Sequence, residues 1–246
     1  MPEHAHLAVK IAREAAAEAL ADRLRSAYND THGRGKDVRQ IRGAVTSLIT
    51  VETFATISEE EKDWVWRLFE GNMRSLYEAS SEGYDANEKR SELFHPESRF
   101  LTLRQDTRPP LGYCIFRFDT EETASEDEDD DDLCDVAYCY ELQIEPGAQR
   151  QGIGRILMDA LGRLAGAFKM DKTMLTAFKH NSDAVTFYKR LGSVDRQADA
   201  DVRRLRVQSL RLTSLRTATR FETDEVDPSQ YGIDDVDYVI LSKSCN

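Results

Sequence analysis

Val136-Ala137-Tyr138-Cys139-Tyr140-Glu141-Leu142-Gln143-Ile144, the loop Gln149-Arg150-Gln151-Gly152-Ile153-Gly154 and the run from Gly152 to Phe168 decide the fold of this chain. The first stretch is rich in valine, tyrosine and isoleucine and reads as a buried strand. The last sets Ile153, Ile156, Leu157, Ala160, Leu161 and Leu164 on one face at helical spacing. A buried strand therefore feeds a short loop and then a helix. Two glycines let the loop backbone come close to a phosphate, and the NH groups of a helix start, aided by the helix dipole, hold a pyrophosphate without any lysine. The loop is not the G-x-x-x-x-G-K-[ST] of a triphosphate site, nor G-x-G-x-x-G with an acid downstream. The plainer alternative is a glycine-rich turn that caps an ordinary helix.

Outward from this unit, Thr173 to Phe178 reads as a strand, Ser182 to Leu191 as a helix and Asp237 to Ser242 as a closing strand. Upstream, Arg99 to Arg104 and Leu111 to Phe118 read as paired strands joined across Asp106 to Pro110. Asn87 to Phe94 reads as a short helix. Ser58 caps a helix that runs to about Tyr77, with Glu59, Glu60 and Glu61 in its first turn. Ala44 to Thr56 reads as a first strand, and Leu7 to Tyr28 as one amphipathic helix carrying Leu7, Ile11, Ala15, Leu20 and Leu24. The order predicts an α/β fold with a mixed sheet. Residues 1–43 form an N-terminal helical extension and residues 44–246 the main domain.

The formal net charge of −12 is concentrated: Glu121 to Asp132, within an acidic loop at 120–134, holds nine acidic residues and no basic one. Such a chain is a poor candidate for gripping phosphate backbones, so no nucleic acid is expected, while a local acidic run suits a basic partner. A solvated loop explains the run equally well. No apolar run reaches the length of a membrane span and no signal-like apolar core is present, so a soluble, intracellular protein without membrane attachment is expected. Cys114, Cys134, Cys139 and Cys245 contain no C-x-x-C pair and read as reduced thiols. The five histidines show no metal-ligand spacing, so no metal is expected.

The loop resembles the Q/R-x-x-G-x-G/A signature of the GNAT acetyltransferase superfamily, where it binds the pyrophosphate of acetyl-CoA. Four further stretches extend the likeness to one branch: Tyr138-Cys139-Tyr140-Glu141, Met174-Leu175-Thr176-Ala177-Phe178-Lys179-His180-Asn181, Asn72-Met73-Arg74-Ser75-Leu76-Tyr77-Glu78 and Tyr238-Val239-Ile240-Leu241-Ser242. They are similar to the NatD-type N-alpha-acetyltransferases, which acetylate the N-terminal serine of histones 4 and 2A. The resemblance covers roughly Val45 to Leu191 and Phe221 to Ser242. It implies a GNAT fold, a mostly antiparallel mixed central sheet flanked by helices. It also implies acetyl-CoA as cosubstrate, the histone 4 and 2A tails as partners, action without an auxiliary subunit, and a place in the nucleus and cytoplasm.

For such a reaction an α-amine, with a pKa of about 7.7–8.0, must lose one proton near pH 7, and a carboxylate suffices to take it. Glu141 on its buried strand is the candidate base, and burial should raise its pKa; a structural ion pair is the alternative. Tyr140 and Glu141 point to opposite faces of a regular strand, so both serve one site only if the strand is bulged, and the resemblance implies such a bulge. It also implies cofactor contacts for Leu142, Gln143, Ile144, Gln149, Arg150, Gln151, Gly152, Ile153, Gly154, Thr176 and Asn181. Asn181 equally suits a helix N-cap. The resemblance further implies substrate contacts for Tyr77, Asp119, Tyr140 and Tyr238, with Asp119 reading the basic tail. Tyr188 stands where many of these enzymes have a tyrosine that protonates the leaving thiolate.

The chain departs from the family at Ser193 to Arg220, which carries seven arginines, no lysine and no aromatic residue where a Phe-Glu strand would follow almost at once. It is either an insertion that forms a basic arm or intron sequence carried into the protein. Two other functions remain open: acetylation of lysine or a small amine, and a non-catalytic histone-binding module in which the acidic run does the binding.

Overall fold

The structure is a computed structural model that describes residues 6–30, 49–104, 109–123, 133–191, 220–231 and 236–245. Most of the acidic run, residues 193–219, the start of the first expected strand and most of the Asp106 to Pro110 turn lie outside them. The strands are β1 (Ile49–Thr53), β2 (Arg99–Arg104), β3 (Pro110–Glu122), β4 (Leu133–Ile144), β5 (Lys172–Phe178), β6 (Glu222–Thr223) and β7 (Tyr238–Ser244). They form one sheet in the order β1-β2-β3-β4-β5-β7-β6. Every neighbouring pair is antiparallel except β4 and β5. The expected α/β class and mixed, mostly antiparallel sheet are both present, with β3 and β4 running longer than their apolar cores suggested.

Helices cover both faces, as a sheet with two apolar faces requires. α3 (Glu59–Glu78) and α4 (Ala86–Leu93) pack Val65, Leu68, Phe69 and Leu93 against Phe100, Tyr113 and Ile115. The cap read from sequence at Ser58 is in place, accepting from the Glu61 NH, and Asp85, which the sequence reading did not name, caps α4 by accepting from the NH groups of Asn87 and Glu88. On the other face, α5 (Ile153–Ala167) buries Ile153, Leu157, Ala160, Leu161 and Leu164 against Phe116, Phe118 and Leu175, joined by α6 (Ser182–Arg190) through Tyr188. Each of the buried Ile, Leu and Phe side chains contributes about 1.5–3 kcal/mol by leaving water, and this face sets α5 against β4.

The N-terminal extension is two helices, α1 (Leu7–Glu14) and α2 (Ala17–Asp30), where one was expected. Alanine favours helix, so the break at Ala15, which is extended at φ −67° and ψ 123°, is not local in origin. α1 lies on β3, with Val9 and Ala12 buried and the Arg13 guanidinium bonded to the Phe118 carbonyl at 2.8 Å. Arg99 takes the Arg13 carbonyl from the sheet side, which satisfies the end of α1. α2 then lies on α5 through Leu20 and Leu24. The two helices follow different surfaces, and a straight rod fits neither pair of contacts.

Two glycines with opposite surroundings test this packing. A Cβ at Gly112 on β3 would lie 2.8 Å from the Gln143 carbonyl oxygen, whereas one at Gly162 in α5 would meet nothing. Gly112→Ala is expected to destabilise by about 1–3 kcal/mol, and Gly162→Ala to stabilise by about 0.5–1 kcal/mol. Thermal melts should move several degrees down and slightly up respectively.

Candidate active site

The site begins with one unpaired residue. Along β3 and β4, Ile115 pairs with Glu141 and Phe116 pairs with Cys139, so Tyr140 has no partner and bulges from the ladder. An extra residue locally reverses the alternation of side chains. Tyr140 and Glu141, which a regular strand would separate, both line one cavity of about 1150 Å³. The bulge also ends the parallel pairing, because β4 and β5 remain in register only from Val136/Lys172 to Cys139/Leu175. Beyond that point β4 stays with β3 and β5 stays with β7, and the cavity opens between the diverging halves.

At one end the cavity reaches the start of α5. Gly152 precedes that helix with φ 84°, and Arg150 also holds a left-handed φ of 61°. No side chain caps the helix start and no acidic residue lies in its first turn, so its NH groups and dipole face an anion without competition. Gly154 is the tightest point: a Cβ there would lie 3.0 Å from Phe187 Cζ and 3.6 Å from Leu142 Cδ2. Gln149, Arg150, Gly152, Ile153 and Gly154 line the cavity, as do Leu142, Gln143, Ile144, Thr176 and Asn181. Gln151 does not; its amide bonds the Gly147 carbonyl at 3.0 Å, and Gln149 bonds the Ile144 carbonyl at 3.3 Å. Asn181 caps α6 by accepting from the Ala184 NH at 3.3 Å while also facing the cavity. The cap and the cavity wall are thus the same residue.

Glu141 sits in the middle, 5% exposed. One of its oxygens is 3.0 Å from Lys89 Nζ on α4, and the other accepts from Gln143 Nε2 at 2.7 Å. Gln143 is itself held by Asn72 Nδ2 at 3.0 Å, and Asn72 also donates to the Ile144 carbonyl. Burial pushes the Glu141 carboxyl above its ordinary pKa, and the Lys89 ammonium opposes that push without cancelling it. Tyr188 lies fully inside on α6, and burial holds its phenol well above the ordinary value, so it stays protonated.

The remaining wall is aromatic and acidic. Tyr77, Tyr138, Tyr140 and Tyr238 line it together with Glu82, Glu92 and Glu121. Tyr138 touches Thr176 through its hydroxyl, and burial pushes its pKa up to about 12. The Arg117 guanidinium lies 4.0 Å from the centre of the Tyr140 ring and fixes it by a cation–π contact. Asp119, expected to face a basic tail, is not on this wall. It accepts from the Arg13 guanidinium of α1 and from the Thr120 NH. The acid on β3 that does reach the cavity is Glu121.

Lys89, Glu92, Asn72 and Arg155 also line the cavity and belong to no sequence expectation for the site. Lys89 and Glu92 lie in an ordinary charged helix, Ala86–Leu93, whose pattern gives no sign that one lysine turns inward. All four cysteines are free, and Cys114 and Cys139 are buried with their sulfurs 3.6 Å apart. Among the described residues no group of three or more His, Cys, Asp or Glu side chains is placed to hold a metal ion, and no helix is long and apolar enough to cross a membrane.

Several solved structures are similar to this chain. The NatC complex bound to Gag peptide and CoA is 14% identical, with 80% of this chain and 98% of that chain covered and a TM-score of 0.44. Naa50 of Arabidopsis thaliana in complex with a bisubstrate analogue is 15% identical over 80% and 98%, also at 0.44. The PaiA N-acetyltransferase of Thermoplasma acidophilum in complex with coenzyme A is 12% identical over 80% and 98%, at 0.46. Residues 60–193, more than half of the chain, match the acetyltransferase (GNAT) family model. Because that match spans the bulged β4, the cradle at α5 and the cavity between them, the chain belongs to the GNAT acetyltransferase family.

Proposed function

We propose that this chain is an N-terminal acetyltransferase of the NatD type, which moves the acetyl group of acetyl-CoA onto the α-amine of the N-terminal serine of histones 4 and 2A. On this proposal it acts in the nucleus and cytoplasm without an auxiliary subunit. The observation that carries it is the one cavity that joins the uncapped helix start of α5 to the buried Glu141, with an aromatic and acidic wall beyond. The cradle suits a pyrophosphate: Gly152 takes the left-handed φ that leads into the helix, Gly154 leaves room for Phe187 and Leu142 to pack close, and the helix start has neither a side-chain cap nor a competing acid.

Acetyl-CoA supplies the thioester, whose carbonyl carbon gains the C–N bond as its C–S bond breaks. The chain's residues supply the rest. Glu141 takes one proton from the α-ammonium, directly or through water, which frees the nitrogen lone pair for attack. Tyr188, neutral in its buried position, donates a proton to the departing thiolate and regains one as the new amide nitrogen sheds its surplus proton. Direct transfer is favoured over an acetyl-enzyme because the buried Cys139 is hydrogen-bonded to Cys114 and its thiol is pushed well above the ordinary pKa by that bond and by burial.

Selectivity for a basic tail rests on the wall chemistry. Glu82, Glu92 and Glu121 supply negative charge near the aromatic rings, and Glu121 is the first residue of the acidic run. A tail that starts Ser-Gly-Arg-Gly-Lys brings the complementary cations.

Turnover on three peptides tests the proposal: Ser-Gly-Arg-Gly-Lys with a free N-terminus, the same peptide with a blocked N-terminus, and one beginning with an unrelated residue. Acetylation of the first alone is expected; turnover on the blocked peptide would instead place the chemistry on lysine. Glu141→Gln should lower kcat by about 10²–10⁴-fold with little change in the affinity for acetyl-CoA. Gly154→Val should push Phe187 into the cradle and raise the KM for acetyl-CoA about ten- to a hundredfold, the loss expected for one or two charge-assisted hydrogen bonds. A base acts only when deprotonated, so kcat/KM should fall as pH drops through the Glu141 pKa. Because burial raises that pKa, the acid limb should lie above the ordinary glutamate range, and it should vanish in Glu141→Gln.

A further inference from the structure

A carboxylate this deeply buried has an electrostatic problem. Taking an isolated carboxylate out of water is so costly that the group protonates instead, and a protonated Glu141 takes no proton from an amine. What surrounds it sharpens the difficulty. Tyr77 from α3, Tyr113 from β3 and Tyr188 from α6 stay neutral because burial raises their pKa values, and Cys139 from β4 stays neutral because its hydrogen bond with Cys114, together with burial, raises its own. Glu92 from α4 adds a second negative charge nearby. The positive charge among them is Lys89.

Lys89 is only 7% exposed. Its Nζ lies 3.0 Å from Glu141 and 2.7 Å from Glu92, with the ring of Tyr77 at 4.9 Å. Burial alone would drive it towards a neutral amine, but Glu141, Tyr77 and Glu92 together hold it above its ordinary value, so it remains an ammonium. An ammonium has no lone pair and is no base itself. It offers instead fixed charge and fixed geometry. The chain of donors from Asn72 through Gln143 clamps one oxygen of Glu141 and Lys89 clamps the other, so α3, α4 and β4 together set where the carboxylate points. The trio of Lys89, Glu92 and Glu141 carries one net negative charge, which suits the approach of one substrate ammonium.

We propose that Lys89 is the positioning residue that keeps Glu141 ionised and aimed inside a site too dry to ionise it unaided. This rests on Glu141 being the proton acceptor. A lysine that merely braces the fold would affect stability and leave the pH dependence of the reaction where it was.

The test is the pH profile of kcat/KM for the full chain with acetyl-CoA and the free Ser-Gly-Arg-Gly-Lys peptide, in Lys89→Met, Lys89→Arg and Glu92→Gln, each first checked by thermal melting. Removing a cation at this distance should move the acid limb of Lys89→Met up by about 1–3 pH units, with part of the lost rate recovered at higher pH. Lys89→Arg keeps the charge, so its limb should stay near that of the wild type while kcat falls. Glu92→Gln frees Lys89 for Glu141 alone and should move the limb down. Glu92 is partly exposed, so this variant keeps the test decisive should Lys89→Met fail to fold. A limb that stays in place in Lys89→Met and Glu92→Gln, or that moves as far in Lys89→Arg as in Lys89→Met, would overturn the proposal. Glu141→Gln separates the two ideas: if it keeps both rate and limb, the assignment of Glu141 fails, whereas if it abolishes the limb while the Lys89 and Glu92 variants leave it unmoved, only Lys89's role fails.

Discussion

One unpaired residue in β4 organises this molecule. Tyr140 has no partner on β3, and the ladder resumes with Glu141 opposite Ile115. A slip of one residue changes the face of every side chain beyond it, so the strand presents Tyr140 and Glu141 to the same cavity instead of to opposite layers. The same irregularity stops β4 following β5 past Cys139. The gap between the strands is then lined by the start of α5 on one side and by Tyr77 and Lys89 on the other. Without the bulge the sheet would close, Glu141 would lose its opening, and the cradle would have no cavity to serve.

The two ends of that cavity solve opposite electrostatic problems. At α5 the protein presents a helix start that no side chain caps, with its dipole, and leaves acids out of the first turn. In the middle it buries a carboxylate and offsets the cost with the Lys89 ammonium and a hydrogen bond from Gln143. A buried ion pair seldom adds much stability, and its geometry matters more here: Glu141 is tied from α4 and from within its own strand. Along the aromatic wall, Tyr140 is stacked on Arg117, which is itself anchored to Ser98 and to the Glu92 carbonyl.

The N-terminal extension contributes at some distance from this chemistry. α1 and α2 seal the outer layer over β3 and α5, and Arg13 engages Asp119 in doing so. An acid that resemblance linked to substrate therefore also fastens the extension to the sheet. Glu121, two residues further along the same strand, takes the place on the cavity wall.

The local pattern of residues determined a good deal. Strand periodicity in Val136 to Ile144, the apolar face of α5 and the caps at Ser58 and Asn181 all act through near neighbours, and local rules read them correctly. The class of fold and the order strand, glycine loop, helix follow from the local pattern alone. Tertiary structure decided what depends on partners distant in sequence. Ala15 breaks a helix because β3 and α5 pull α1 and α2 along different lines. Gln151, although inside the glycine motif, turns back to Gly147. Lys89 reads as one more solvated lysine in a charged helix until α4 is laid against β4 and its ammonium meets Glu141. Register and burial are properties of pairs of segments, and no single stretch of chain contains the free energy that sets them.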